Sequence, residues 1–389
     1  MKKRKKINLS TVLQVIIGMI LGAGFGFILA SFMYKGVSNK PLGYKALLLI
    51  SFIVIYYGSV IIHECTHFAT FVAYETEMRL LVMGPFIFIK KNNKWKFKFK
   101  FTGAFAFGGI AMPNLDVIDN NEKFERFRKA FAKVLIAAPL SNIIMNIIVI
   151  IVAAIGYKYA TTEFSKNYIF FVAISTTFVS LFISLSSLIK NDLVIGDYRA
   201  YYEVLKKKEF AYVCFYQYLM ISDKYEAKDK SYLIENVSLY IEVELNKRSY
   251  NTYVIGTVDN ILNDYLLGKI AELPNVVKEY IDFASANCEE LLNAYINTEH
   301  PLILLHHIVQ YYNTEEATKL RAVELYNKIT LIVKHKTKVL KYYNLRSRHI
   351  LGFEDNIKFL SDKKNIRTSS LFELFRMFDW YYNDEMKAL

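Results

Sequence analysis

Cysteine is scarce in this chain, and the few that occur lie far apart. The 389 residues include three, Cys65, Cys214 and Cys288. Three scattered thiols do not form a disulfide framework, and they lack the paired spacing of a cysteine-based zinc site. The composition therefore fits a reducing compartment, and any metal ligands must be residues of other types.

Charged residues are missing from long parts of the sequence. The chain is 53% hydrophobic with a mean hydropathy of +0.20, and four apolar stretches each exceed the roughly 20 residues that cross the hydrocarbon core of a bilayer. We predict membrane spans at 7–34, 46–74, 134–157 and 168–189. The first has no signal-peptide cleavage site and is interpreted as a retained anchor. Only the second contains ionisable side chains, and these are His63, Glu64 and His67.

Acidic residues are scarce in the first half of the chain. The net charge is +13, and all of the excess positive charge lies in residues 1–197, whereas 198–389 is neutral. The basic residues cluster at 2–6, 90–100 and 123–133. Because cytoplasmic loops carry an excess of lysine and arginine, we expect these clusters and both termini to face the cytoplasm of a cell-membrane protein. No nucleic-acid recognition motif accompanies the charge, so we expect a lipid bilayer, and not nucleic acid, as its partner.

An alternating pattern separates the second and third predicted spans. From Lys94 to Phe101, lysine alternates with an aromatic residue, and this period of two predicts a strand with one cationic and one apolar face. Asn92-Asn93 precedes it as a predicted turn. We predict a membrane-associated β region at 78–118 with a hairpin at the cytoplasmic surface. The hairpin is either a ribbon held to anionic headgroups by its lysines or an edge that receives an extended substrate by strand addition.

The rest of the chain shows no further apolar stretch. Beyond Tyr198, amphipathic helical segments alternate with short polar breaks, and no fixed-period repeat is detectable. We predict a membrane domain at 1–197 and a soluble, all-helical cytoplasmic domain at 198–389, which offers a surface for a protein partner. The predicted fold class is mostly α: a multi-pass membrane helix bundle of about four spans, a small membrane-associated β region and the helical C-terminal domain.

The ionisable residues of the second predicted span form a motif. His63-Glu64-Cys65-Thr66-His67 matches H-E-x-x-H. On a helix the two histidines lie one turn apart on the same face, where both imidazoles can bind one Zn²⁺, and the glutamate is placed to activate a water at the metal. An ionisable group in a bilayer costs roughly 2.5 to 3.5 kcal/mol on insertion scales, so three in one span indicate a function. The alternative is a polar cluster that snorkels from a helix end.

With this motif in a membrane span, the sequence resembles the site-2 protease family of intramembrane zinc metalloproteases. Three further segments carry the resemblance. They are Gly108-Gly109, in the manner of the family's glycine-containing β region; Ala138 to Asn142, where the family has Gly-Pro-Leu-x-Asn; and Asn191 to Asp197, near the family's Asn-containing segment ending in Asp-Gly. Order and spacing agree from residue 46 to about 200.

The resemblance implies an enzyme that cleaves a membrane-embedded or membrane-proximal peptide segment, with Zn²⁺ as its cofactor. Glu64 would be the catalytic residue. Asn142, Gly108 and Gly109 would bind the substrate. Asn142 is alternatively a packing amide that forms hydrogen bonds within the helix bundle.

The third zinc ligand has two candidates. The resemblance implies Asp197, although the segment before it lacks the family's proline and Tyr198 stands where the family has glycine. A straight continuation of the fourth span favours Asp192, which lies nearer the depth of the motif. Gly196 could permit a turn that returns the chain toward the zinc.

Two other hypotheses compete with an active protease. A non-catalytic membrane binding or immunity protein could retain a structural metal site, but an intact Glu64 favours the enzyme because a structural site needs no general base. A transporter subunit lacks support, because four spans without paired broken helices give no translocation pathway.

Overall fold

The computed structural model shows a mostly helical chain that divides into two compact units. It describes residues 41–100, 108–190, 195–294, 299–333, 337–369 and 378–387. The predicted span at 7–34 and the candidate ligand Asp192 lie outside these residues. Unit 1 comprises Met1–Pro113 with Arg126–Lys206, and unit 2 comprises Asn114–Glu125 with Lys207–Leu389.

Among the described residues, three helices are long and apolar enough to cross a membrane. They are α1 (Leu42–Ala73), α2 (Asn121–Tyr159) and α3 (Glu163–Ser186). Each overlaps one of the predicted spans. Helix α2 begins well before the predicted boundary at 134, because the basic segment 121–133 is free of helix breakers and continues the same helix.

The apolar side chains of these helices are extensively exposed. Isoleucines and valines with about half or more of their surface exposed occur along both α1 and α2, among them Val54, Ile144, Ile148 and Val152. Soluble monomers expose apolar surface only in small patches. In a membrane, lipid chains cover a continuous apolar surface of this kind. The three helices therefore fit a membrane protein.

Polar contacts join the three long helices. The hydroxyls of Ser51 on α1 and Tyr168 on α3 lie 2.9 Å apart, and Thr177 on α3 donates to the side-chain oxygen of Asn146 on α2 at 3.0 Å. The buried residues of α3 also include several small ones, namely Ser175, Thr176, Ser180 and Ser184. Small residues let helix backbones approach closely in a membrane, where packing and hydrogen bonds hold helices together.

The β region of unit 1 is an antiparallel sheet. Its strands within the described residues are β1 (Met78–Met83), β2 (Phe86–Lys91), β3 (Lys94–Phe99) and β4 (Gly109–Pro113), in the order β3-β2-β1-β4. The predicted hairpin is confirmed. Asn92 and Asn93 form its turn with positive φ angles of 49° and 58°, as a tight two-residue turn requires.

The register of the hairpin gives the sheet one aromatic face. Phe97 pairs with Phe88 and Phe99 with Phe86, so the aromatic residues of β3 and β2 share a face, and those of β3 are about half exposed. The predicted Phe101 lies outside the described residues. The sheet also packs beside α1, where the sulfur atoms of Cys65 and Met83 are 3.5 Å apart. This contact brings the sheet next to the helix that carries the H-E-x-x-H motif.

The regular secondary structure of unit 2 is helical in its described residues. Its helices are α5 (Lys208–Leu219), α6 (Ser231–Asn246), α7 (Thr252–Leu266), α8 (Asn275–Ala286), α9 (Cys288–Ala294), α10 (His300–Asn313), α11 (Lys319–Ile332), α12 (Lys338–Ile350), α13 (Ile357–Leu360), α14 (Lys363–Ser369) and α15 (Asp379–Lys387), with 3-10 turns at Ala227–Lys230 and Glu316–Thr318. Within this described part, no helix is long and apolar enough to cross a membrane. Helix α4 (Asp197–Lys206) belongs to unit 1.

The segment Asn114–Glu125 packs on the helices of unit 2. The Asn114 side-chain oxygen accepts hydrogen bonds from the Ser222 hydroxyl at 3.1 Å and from the Asp223 backbone N–H at 3.2 Å. The rings of Phe124 and Tyr212 are stacked with centroids 3.7 Å apart. The strands therefore end at Pro113, before the end of the predicted β region at 118, because the next residues satisfy their polar groups in the helical unit.

Candidate metal centre

The two histidines of the motif lie side by side on α1. His63 and His67 are separated by one helical turn, both are buried, and their ring centroids are 4.9 Å apart. The ring planes are nearly perpendicular, at 88°. The four-residue spacing places both imidazoles on the inner face of α1, as the sequence predicts.

His67 is oriented by a backbone carbonyl. Its Nδ1 lies 2.9 Å from the carbonyl oxygen of Val134 on α2, so the Nδ1–H donates there and the lone pair of Nε2 points away. Pro139 lies inside the same helix. Because proline has no N–H, the carbonyl of Leu135 loses its helical partner and the turn is loosened next to the carbonyl that holds His67.

His63 is oriented by a side chain. Asn142 of α2 is fully buried, with 0% of its surface exposed, and its Nδ2 lies 3.1 Å from His63 Nδ1. The Oδ1 of the same amide is buried without a hydrogen-bond partner in the described part of the chain. The structure therefore brings Asn142 against a motif histidine.

Asp197 lies next to both histidines. Its Oδ2 is 2.9 Å from His63 Nε2 and 3.5 Å from His67 Nε2. Burial raises the pKa of the Asp197 carboxyl, but attraction to His67 and hydrogen bonds from both histidines outweigh burial, so the pKa lies well below its usual range. The carboxylate is therefore ionised and available as a ligand at neutral pH.

Backbone hydrogen bonds hold the segment that begins at Ile195 against the residues that follow α3. Beyond the end of α3, the Gly196 N–H donates to the Ile189 carbonyl at 2.8 Å, and the Arg199 N–H donates to the Ser187 carbonyl at 3.2 Å. A Cβ on Gly196 would lie 2.6 Å from the carbonyl oxygen of Ser186 and from backbone atoms of Ser187. Only glycine fits this approach, so Gly196 permits the return of the chain that the sequence analysis considered.

The buried carboxylate of Glu203 on α4 forms ion pairs with residues on both sides of Asp197. Glu203 is 2% exposed, and its Oε1 lies 2.7 Å from Lys190 Nζ and 3.2 Å from Arg199 Nη2. Lys190 precedes Asp197 and Arg199 follows it, so one carboxylate holds both sides. Glu203 therefore links two side chains that flank Asp197 in the sequence, which indicates a role in positioning this ligand.

Glu64 lies between the motif histidines and the sheet. Its carboxylate is buried, and Oε2 has no hydrogen-bond partner among the described residues. A Cβ on Gly109 of β4 would overlap the Glu64 side chain and would lie 2.5 Å from the Val82 carbonyl oxygen. Within the described part of the chain, a Cβ on Gly108 would meet nothing within 4 Å. Of the two glycines predicted to bind substrate, Gly109 therefore makes room for Glu64, whereas Gly108 is beside open space.

The three side chains His63, His67 and Asp197 fit a zinc ion. Each offers one ligand atom, and these atoms lie within 4.8 Å of one another. Two imidazole nitrogens and a carboxylate oxygen are ligands that Zn²⁺ accepts, and three protein ligands leave a fourth position for chemistry. The buried, unpartnered oxygen of Glu64 adds a proton acceptor beside this set. Donor types and burial together match a catalytic metal site.

The residues that hold the ligands in place could not be recognised from the sequence. Val134 acts through its backbone carbonyl, which no side-chain pattern reveals. Glu203 and Lys190 are 13 positions apart, and their contact depends on the turn. The only local signal is the spacing of Arg199 and Glu203, one helical turn apart.

Comparison with known families agrees with the geometry of this centre. The sequence model of Peptidase family M50 matches residues 51–341, a range that includes His63, His67 and Asp197. Comparisons with curated proteins and with solved structures gave no match. The family match covers well over half of the chain and confirms the resemblance drawn from the motifs. The chain belongs to Peptidase family M50, the site-2 protease family of membrane metalloproteases.

Proposed function

We propose that this chain is a zinc metalloprotease that hydrolyses a peptide bond in a membrane-embedded or membrane-proximal segment of a protein or peptide. The observation that carries the proposal is the convergence of His63, His67 and Asp197 beside the buried carboxylate of Glu64. The segments of the chain that bear them are α1 and the start of α4. Zn²⁺ held by the three ligands would act as a Lewis acid on the substrate carbonyl.

Glu64 serves as general base and then as general acid. Its carboxylate accepts a proton from the attacking water, whose oxygen forms a bond to the carbonyl carbon of the scissile peptide. When the C–N bond breaks, Glu64 returns that proton to the departing amine nitrogen. The net reaction adds one water across one peptide bond, and Glu64 ends in its starting protonation state.

The free edge of β4 is the place where we expect the substrate to bind. In the described sheet, β4 pairs with β1 on one side only, and Gly109 of β4 lies directly against Glu64. An extended segment that pairs with this edge has its peptide groups held beside the general base. Strand β3, at the opposite edge, carries Trp95, Phe97 and Phe99, which favours contact of that edge with lipid.

We also propose that 90–100, 123–133, both termini and the helical unit 2 face the cytoplasm, a topology that the basic clusters support. A cysteine introduced at Asn120, an exposed position, tests this topology. In intact cells, a membrane-impermeant thiol reagent is expected to leave the Asn120→Cys chain at the labelling level of the native chain. Labelling above that level in intact cells would overturn the topology.

We further propose that unit 2 contacts a protein partner or presents the substrate. Residues 198–389, which hold most of unit 2, are neutral overall, and the described part of unit 2 has no candidate span; both observations support a role outside the bilayer. A membrane binding or immunity protein with a structural metal is the alternative. The buried Glu64 carboxylate favours the protease, because a structural metal site has no use for an ionisable group kept from solvent beside it.

The test compares cells that express the native chain with cells that express Glu64→Gln. The amide retains the size of the side chain but accepts no proton, so zinc content is expected to remain and cleavage is expected to be lost. Comparison of membrane-peptide profiles between the two cell lines identifies the substrate as the species that accumulates uncut in the mutant. Identical profiles and equal cleavage in the two lines would refute the proposal.

A further inference from the structure

The two motif histidines are held in different ways. His67 donates from Nδ1 to the Val134 carbonyl, a group that is always an acceptor. His63 meets the amide of Asn142, which carries a donor and an acceptor on the same carbon. The proton position on His67 is therefore fixed by the backbone, whereas that on His63 depends on which way one side-chain amide faces.

Without a metal, the contacts around His63 form a continuous chain. Asn142 Nδ2 lies 3.1 Å from His63 Nδ1, and His63 Nε2 lies 2.9 Å from Asp197 Oδ2. In this arrangement the amide N–H donates to Nδ1, and Nε2–H donates to the carboxylate. The Asn142 oxygen is left buried with no hydrogen-bond partner among the described residues. This arrangement is destabilised by the desolvation free energy of the unpaired Asn142 oxygen beside the imidazole.

Metal binding reverses what His63 needs. To offer the Nε2 lone pair to zinc, a neutral imidazole must carry its proton on Nδ1, and that N–H requires an acceptor. A half-turn of the Asn142 amide brings Oδ1 to the place now held by Nδ2. The same half-turn gives Oδ1 a donor and moves Nδ2 to the place where Oδ1 now lies without a partner among the described residues.

We propose that Asn142 is a positioning residue for the metal site: its side-chain oxygen accepts the Nδ1 proton of His63 and so fixes the tautomer that binds zinc through Nε2. This inference rests on the proposed zinc site. In this proposal Asn142 orients the metal ligand His63 and does not bind the substrate, because its amide is fully buried against His63.

The experiment measures zinc affinity of the full chain in detergent by competition with a chelator, for Asn142→Leu and Asn142→Asp. Leucine has similar size and no acceptor, so zinc is expected to bind about 10- to 100-fold more weakly. Aspartate keeps an acceptor oxygen and loses the donor, so its affinity is expected to remain within about threefold of native. The visible spectrum of the Co²⁺-loaded chain should change in the leucine variant and be retained in the aspartate variant.

Asn146→Leu is the matched control. Asn146 lies one turn further along α2 and bonds with Thr177, away from the metal site, so the same substitution there should leave zinc affinity unchanged. Thermal unfolding of the metal-free chains identifies any variant that fails to fold, and Asn142→Ala, which also lacks an acceptor, replaces the leucine variant if leucine does so.

The outcomes separate the two proposals. If the native chain binds no zinc, the proposed site fails and the inference fails with it. If the native chain binds zinc and Asn142→Leu binds it equally well, only the inference is overturned, and a raised KM in that variant would assign the amide to the substrate. Equal weakening in the leucine and aspartate variants would also overturn it, because the acceptor oxygen would then be irrelevant.

Discussion

The metal centre is assembled from two regions that depend on the sequence in different ways. Helix α1 supplies His63 and His67 through spacing alone, since residues four apart on any helix share a face. The segment from Ser187 to Glu203 supplies Asp197 only because a turn, a glycine and a buried carboxylate hold it against α1. The two histidines should therefore keep their spacing when residues around them are substituted. The position of Asp197, in contrast, depends on residues that are not metal ligands themselves.

The largest expected effect comes from disturbing the first region without changing a ligand. In Gly109→Ala the new methyl group overlaps the Glu64 side chain, which must move away from the histidines. Cleavage is expected to fall about 100-fold, the usual cost of misplacing a reacting group by about 1 Å. Zinc content should not change, because the ligand spacing on α1 is intact.

Gly43→Ala, at the start of α1, is the matched control for this substitution, since its methyl group would meet nothing within 4 Å among the described residues. It should keep native cleavage. Assays of zinc content and cleavage for both variants check the prediction. Loss of zinc from Gly109→Ala would show that zinc binding by His63 and His67 also depends on the neighbouring sheet.

A smaller effect is expected in the second region from Gly196→Ala. Its methyl group would lie 2.6 Å from backbone atoms of Ser186 and Ser187, which do not yield as a flexible side chain does. The turn must shift and carry Asp197 with it, so zinc affinity is expected to fall about 10- to 100-fold, as for other residues that orient ligands. Chelator competition measures this change.

The control is Gly256→Ala, in the interior of α7, where an added methyl group meets nothing within 4 Å. Alanine there should stabilise the helix by about 0.5–1 kcal/mol and leave zinc affinity unchanged. Native zinc affinity in Gly196→Ala would mean that the turn does not determine where Asp197 lies.

The smallest effect is expected from Glu203→Gln. The amide keeps hydrogen-bonding ability but loses the charge that attracts Lys190 and Arg199, whose side chains are 39% and 43% exposed and therefore partly screened by solvent. The free energy of unfolding is expected to fall by about 1 kcal/mol, with a few-fold loss of zinc affinity. Chemical unfolding and chelator competition measure the two quantities.

Glu316→Gln is the matched control, because it removes the same charge from an ion pair at the surface. Glu316 pairs with Lys319, and its side chain is 86% exposed. Surface pairs contribute little, so neither quantity should change measurably. Equal effects from Glu203 and Glu316 would argue against a positioning role for Glu203.

The same contrast explains what the sequence could predict. The H-E-x-x-H pair and the hairpin around Asn92 follow from local periodicity, and the structure agrees with both. The family resemblance pointed to Asp197, which the structure brings beside the histidines. Straight-helix geometry favoured Asp192, which lies outside the described residues, and it took no account of Gly196, where only glycine allows so close an approach to Ser187.

Contacts between distant parts of the chain could not be predicted. Strands β1 and β4 are neighbours in the sheet although the β2–β3 hairpin separates them in the sequence. A continuous apolar strand such as β1 also has no period that distinguishes it from a helix. The proximity of Asn142 to His63 spans 79 positions and depends on how α2 packs against α1. Its sequence motif alone left substrate binding and helix packing as alternatives.

The most direct test of the account is the zinc content of the purified native chain, Asp197→Ala and Asp192→Ala, each measured together with cleavage. The account predicts one zinc per chain in the native protein and in Asp192→Ala, with zinc and cleavage both lost from Asp197→Ala, because Asp197 is the carboxylate within 2.9 Å of a motif histidine. Full zinc occupancy with full cleavage in Asp197→Ala would contradict it.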